Sequence, residues 1–466
     1  MNRRKIRWKH GVSLLMAVAL LFSAPAAVKA ELHWPEGPQI TSPSAIVIEL
    51  NSGAVLYEKN ADQVNYPASI TKVLTTYLAL EHSDLEEIVT FSDDAINLNQ
   101  GDTSHIARDY GEQMTMKECL YAVMLESANE CAYAVAEHVG VKMGGDYQTF
   151  IDMMNAKAKE LGCTNTHFTN ANGLPDENHY TSARDMALIS MAAYKNEDFR
   201  IICGTRSYRI PPTNRHKEIT PLNNHHNLIS NYRTDEHLYE YATGGKTGYT
   251  KAAGSTLVSY AEKDGLTLVC VVMKEVGYGN FEATIELFDY CFQNFYKVEI
   301  DENGNAITSD GQEDTLGDSE GYPSFVKLEE NAQIVLPIAA DAKDVEVSLV
   351  ESGLATDAVA QLKYTYGGHV AGCADVVLSN AEVEYDFFEE KESSEDVKVI
   401  EIKGKHILMI VGAIVLLAAL IIGGKCLYDN YYVILHDMNV RRQRKDRFRP
   451  ISNRKRKRRR RDRMFR

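Results

Sequence analysis

Apolar residues Ile70, Val73, Leu74, Tyr77 and Leu78 recur at i, i+3, i+4, i+7 and i+8, which predicts a helix through ITKVLTTYLALEH with one buried face. Upstream, SAIVIEL and AVLYEKN flank Asn-Ser-Gly between residues 44 and 60 and predict two strands joined by a tight turn. MTMKECLYAVMLES and ANECAYAVAEHVG read as two helical runs interrupted at Ser127-Ala128-Asn129, and SARDMALISMAAYK, residues 182–195, as another helix. GSTLVSYA and LTLVCVVM, within 254–273, predict a strand hairpin with Asp-Gly at its turn. FEATIELFDYCFQNFY follows as a closing helix. A strand pair, a block of helices, then strands and a last helix indicate an α/β (α+β) domain with a helical layer on a mostly antiparallel sheet.

The pattern changes further on. Residues 31–298 hold the periodic segments, and 299–322 are acidic, glycine-containing and poor in apolar residues, as expected of a linker. Short β-like runs (FVKLE, AQIVLPI, VEVSLV, AQLKYTY, ADVVLS) predict a small all-β domain over 323–385, followed by an acidic stalk over 386–406. Residues 407–424 are 18 uncharged, mostly apolar positions, about the length that crosses a bilayer. The tail, 425–466, is basic, and the positive-inside rule puts it in the cytoplasm, facing anionic lipid rather than nucleic acid. Residues 1–30 carry a basic start, an apolar run of 11 and Val28-Lys29-Ala30, the form of a cleaved secretory signal. The expected product is a single-pass protein of the cell membrane with residues 31–406 outside.

The net charge of −15 averages two populations. Residues 31–406 carry 27 Lys/Arg against 61 Asp/Glu, and the last 26 residues carry 16 Lys/Arg against two Asp, so the acidic and basic parts act separately. Of eight cysteines, seven precede the apolar span and none forms a Cys-x-x-Cys pair; most are expected to be buried free thiols.

Candidate chemistry starts in YPASITK. Ser69 and Lys72 stand three residues apart, one turn on a helix, so a hydroxyl and an amine share a face. A serine becomes nucleophilic when a base takes its proton, and a lysine of depressed pKa is such a base. Alone the pair is equally a helix-start serine with a surface lysine. Ser127-Ala128-Asn129 and Lys246-Thr247-Gly248, which alone read as an interhelical turn and a glycine-rich turn, complete the S-x-x-K, S-x-N, K-T-G set of acyl-serine enzymes.

From about residue 40 to 298 the chain resembles the serine-type D-alanyl-D-alanine carboxypeptidases, low-molecular-weight penicillin-binding proteins of peptidase family S11. FTNANGLPDENHYTSARDMALI and GGKTGYTKAAGSTLV carry the resemblance beyond the motifs, and the β domain resembles the family's C-terminal domain more weakly. The resemblance implies a penicillin-binding-protein-like fold and hydrolysis of the terminal D-Ala-D-Ala bond of peptidoglycan stem peptides, with β-lactams acylating the same serine. It implies Ser69 as nucleophile, Lys72 as base, and Ser127 with Lys246 relaying a proton. Asn129 would orient the substrate amide, and Thr247 of the Lys246-Thr247-Gly248 motif would hold the terminal carboxylate, helped by the positive charge of Lys246. The backbone N–H groups of Ser69 and Tyr249 would form the oxyanion hole. Neither a metal nor an organic cofactor is implied. In one departure, Asn280 precedes Phe281 where family members often have an arginine; His225 and His226 are candidates to make up for it, or simply polar loop residues. A class A β-lactamase would need a Glu-x-x-Leu-Asn-like loop between Asn129 and Lys246, and none is present. A catalytically silent wall-binding scaffold would not need the reactive residues.

Overall fold

The computed structural model describes residues 32–99, 103–302, 304–307, 313–314, 326–329, 332–350 and 358–378. The expected signal, stalk, apolar span and basic tail lie outside the described residues. Among the described residues no helix is long and apolar enough to cross a membrane.

Five antiparallel strands make the central sheet: β1 (Ser44–Glu49), β2 (Val55–Lys59), β3 (Ala242–Thr250), β4 (Gly254–Lys263) and β5 (Leu266–Glu275), in the order β2-β1-β5-β4-β3. The β4–β5 hairpin turns at Asp264 and Gly265, both at positive φ (52° and 81°), as a two-residue Asp-Gly turn requires. Side chains alternate across the sheet. Ile46, Ile48, Val258, Val269 and Val271 enter one core; Ala45, Val47, Leu257, Leu268 and Val272 enter another. Burial on both faces explains why these strands read as continuous apolar runs.

The first face is covered by α1 (Lys72–His82), α2 (Asn129–Lys142), α3 (Tyr147–Glu160), α4 (Ala183–Tyr194) and α5 (Glu197–Gly204). The second is covered by α6 (Gly279–Asn294), which contributes Phe281, Leu287, Phe288 and Cys291. The sheet therefore carries helices on both sides, not the single layer expected. Helix α1 also differs from its expected one-sided pattern: Lys72, Thr75 and Thr76 are buried along with Val73 and Leu74. A helix central to its layer turns its polar side toward other protein elements, and that side forms the site.

The β domain takes its first strand from inside the segment assigned above to the catalytic domain. Strand β6 (Phe295–Ile300) follows α6 directly and pairs with β7 (Gln333–Pro337), so a boundary at 298 cuts a strand. Short strands Ala306–Ile307 and Glu313–Asp314 lie within the expected linker and extend this sheet. A second sheet contains Val326–Leu328, β8 (Glu346–Val350), β9 (Ala358–Tyr366) and β10 (His369–Leu378). Ile334 and Leu336 of one sheet share a core with Leu362, Tyr364 and Val376 of the other. Cysteines 119, 131, 163, 203, 270, 291 and 373 are all free, five of them buried.

Candidate active site

Ser69 lies in a single 3₁₀ turn, Ala68–Thr71, that runs straight into α1. Ala68 has φ +51°, a left-handed conformation that costs a residue with a Cβ roughly 1 kcal/mol or more. Neighbours hold it there. Thr256 donates to the Pro67 carbonyl at 2.8 Å, and Thr71 Oγ1 bonds the Ala68 carbonyl and His179 Nε2, each at 2.9 Å. Gly173 (φ +85°) passes so close that a Cβ there would stand 1.9 Å from the Ala68 oxygen.

Lys72 opens α1 one turn beyond the serine and is fully buried. Its Nζ lies 3.2 Å from Ser69 Oγ, 2.7 Å from Asn129 Oδ1 and 2.6 Å from the Asn172 carbonyl. The last two can only accept, so they take two N–H groups. A neutral amine has two N–H groups and one lone pair, and the lone pair then faces the Ser69 hydroxyl. Burial, and next the positive charge of Lys246, push this amine well below the usual lysine range, against an opposing pull from Glu130.

The second motif is a helix defect. A short helix, Met116–Tyr121, widens into a π turn at Ala122–Glu126 and stops at Ser127, which has φ +61°. Helix α2 restarts at Asn129, whose N–H donates to the Ser104 carbonyl at 2.9 Å. The break points Asn129 at Lys72. It also leaves the buried Ser127 Oγ without a hydrogen-bond partner among the described residues, an uncommon state for a buried hydroxyl.

The third motif lies on β3, the edge strand. A Cβ on Gly248 would stand 2.9 Å from Ser69 N and 3.1 Å from Ile70 N, so the glycine lets this edge reach the serine turn. Lys246 is buried, with Nζ 2.8 Å from the Thr247 carbonyl. Burial and then the charge of Arg233 lower it to about 7, opposed by Glu126. Thr247 is half-buried and Tyr249 is 67% exposed. Lys72 beside Ser69, and Lys246 on the strand that reaches the serine turn, thus both have depressed pKa values, the pattern expected of a site built for proton transfer.

The proposed stand-ins for the family arginine differ from each other. His226 is buried, bonds Ser259 Oγ at 2.8 Å, and is pushed by burial down to about 4, so it stays neutral and is not a cationic contact. Asn280 is buried with Oδ1 on the Phe281 N–H. His225 reaches Glu126 at 2.9 Å and Arg233 at 3.2 Å. Sequence reasoning assigned nothing to Asn172, Glu126 or Arg233. The carbonyl of Asn172 has no side-chain signature, and the other two are ordinary surface residue types until folded. Asp109, Glu112 and His216 bring ligand atoms within 4.8 Å of one another, but Glu112 is already held by Arg108 and Thr213.

The D-alanyl-D-alanine carboxypeptidase family pattern of S11 peptidases matches residues 31–277, more than half of the chain. The chain belongs to this family. Among similar proteins, this carboxypeptidase is 34% identical over 294 residues to the D-alanyl-D-alanine carboxypeptidase DacF of Bacillus subtilis, covering 61% of this chain and 70% of that one. It is 32% identical to DacA of Haemophilus influenzae, covering 58% and 67%. Among solved structures, the Streptomyces K15 DD-transpeptidase superposes with TM-score 0.51 at 27% identity over 56% of this chain and all of that one. Penicillin binding protein 5 of Haemophilus influenzae reaches 0.58 at 26% identity over 74% and 98%, more than the catalytic part alone can supply. The carboxypeptidase is thus a serine peptidase of mixed α/β penicillin-binding-protein fold.

Proposed function

We propose that the family's reaction, hydrolysis of a terminal D-Ala-D-Ala bond through a penicillin-binding serine, runs here as follows. Lys72 takes the proton of Ser69 Oγ, which attacks the carbonyl between the two D-alanines. The backbone N–H groups of Ser69 and Tyr249 receive the oxyanion. Ser127, together with Lys246, passes a proton to the departing D-alanine nitrogen once substrate is seated, and Ser127 Oγ, unpartnered among the described residues, is free to take up that role. Asn129 orients the peptide, and Thr247 receives the terminal carboxylate. Water then cleaves the ester, giving a peptide one D-alanine shorter and regenerating Ser69. A β-lactam opens on the same oxygen.

The supporting observation is the buried Lys72 amine at 3.2 Å from Ser69 Oγ with two acceptor-only partners. The test is incubation of the protein with a synthetic pentapeptide ending in D-Ala-D-Ala, with released D-alanine measured. Release that persists in Ser69→Ala would overturn the scheme. A fluorescent penicillin distinguishes the rivals: a long-lived Ser69 adduct supports the carboxypeptidase, rapid turnover a β-lactamase, and no adduct a silent scaffold.

The reading extends to location. A signal over 1–30, an apolar span at 407–424 and a basic tail at 425–466 support a membrane-anchored enzyme whose cleft faces peptidoglycan. Protease added to intact cells should remove the catalytic domain and spare an epitope on the tail. Loss of the tail epitope instead would reverse the topology.

A further inference from the structure

The carboxypeptidase reading requires recognition of a substrate that ends in a free carboxylate, and the cations available for that task are few. Lys246 is buried and engaged with the Thr247 carbonyl. Lys72 is committed to Ser69, Asn129 and Asn172. Asn280 is neutral and His226 is buried and neutral.

Arg233 is different. It is exposed, and after burial its positive charge is the cause that lowers the Lys246 pKa. It is also held in position. A guanidinium only donates, so its contact at 3.2 Å makes His225 Nδ1 an acceptor. His225 therefore carries its proton on Nε2, which faces Glu126 Oε2 at 2.9 Å. Glu126 in turn accepts the Asn223 N–H at 2.7 Å and immediately precedes Ser127. The ring of Tyr232 lies parallel to that of His225 at 6.4 Å. This chain of contacts ties Arg233 to the residue before Ser127, where its charge opposes that of Lys246. Glu126 is the anion that acts on both cations. Among the described residues no other hydrogen bond engages the guanidinium, so the rest of its planar fork can accept a carboxylate in two-point fashion.

We propose that Arg233, carried on His225 and Glu126, binds the terminal carboxylate of the substrate and sets the enzyme's preference for peptides with a free C-terminus. The proposal rests on the carboxypeptidase reading.

The test compares two peptides, one ending in D-Ala-D-Ala and the same peptide with its terminal carboxylate converted to an amide, in the full-length protein. Arg233→Gln should lower the acid-to-amide ratio of kcat/KM by about tenfold or more, as expected for losing a hydrogen bond to a charged group, whatever common change the shifted Lys246 brings to both peptides. Arg233→Lys should restore part of the preference, because it keeps the charge and loses the fork. Equal losses on both peptides, or no loss on either, would overturn the role of Arg233. A parent protein that forms no Ser69 adduct with penicillin would overturn the carboxypeptidase reading and this proposal with it. A reactive parent with an unaltered preference in Arg233→Gln overturns only the latter.

Discussion

At the scale of single residues, the site is a problem of keeping amines neutral. Two ammonium groups beside one hydroxyl would repel, and burial removes the water that would screen them. Lys72→Ala should reduce acylation of Ser69 by penicillin by roughly a thousandfold, in line with loss of a positioned base, while mass spectrometry of Ser69→Ala should find no adduct at all. The pH profile of acylation should contain a limb near 7 contributed by Lys246. Arg233 lowers that value, and removing a nearby positive charge raises the pKa of an amine. Arg233→Gln should therefore move the limb to higher pH and Arg233→Lys should not, measured as acylation rate between about pH 5 and 10. Histidines matter for stability. His179 and His226 are both lowered to about 4 by burial. The unfolded chain binds these protons first, so stability is complete above the unfolded value of 6.5 and is lost as pH falls through about 4. The urea midpoint should drop over that window, and His179→Gln combined with His226→Gln should flatten the drop.

At the scale of elements, catalysis depends on places where regular structure breaks. The left-handed Ala68 and the π turn before Ser127 are two such breaks, while Gly248, inside regular β3, lets that strand reach the serine turn. Gly173→Ala would place a Cβ 1.9 Å from the Ala68 carbonyl at a backbone angle L residues avoid. It should destabilise by about 2–3 kcal/mol and slow acylation more than any surface Gly→Ala change, checked by thermal melting and penicillin labelling. The strands and helices named from periodicity are present, because an apolar run or an i, i+3, i+4 pattern is a local property. Helix α3 was not anticipated, although its capping box of Asp146 and Thr149 was a usable signal. The hairpin of Ser207–Ile210 and Thr220–Asn223 was also missed; its strands are short and one contains Pro221.

At the scale of the molecule, the catalytic and β domains share structure. Strand β6 grows out of α6, Val335 of β7 joins the core beneath the central sheet, and the Cys373 N–H reaches the Ser52 carbonyl at 3.1 Å. Trp34 packs on Phe295 at 5.0 Å and stacks on His369 at 4.7 Å, tying the start of the described chain to both sheets of the β domain. A fragment ending at 298 leaves β6 unpaired and Phe295 uncovered. It should melt at least several degrees below a fragment ending at 378 and aggregate on heating, compared by calorimetry and light scattering. By itself the sequence determined the strands and helices with a strong apolar pattern and the three motifs with their chemical types, because each depends on neighbouring residues only. The tertiary structure alone decided which lysine is buried against the serine, that a backbone carbonyl at Asn172 helps hold it, and that Arg233 rather than His226 or Asn280 is the exposed cation beside Lys246. Those outcomes depend on burial and on distances between segments scores of residues apart, and neither quantity exists until the chain has folded.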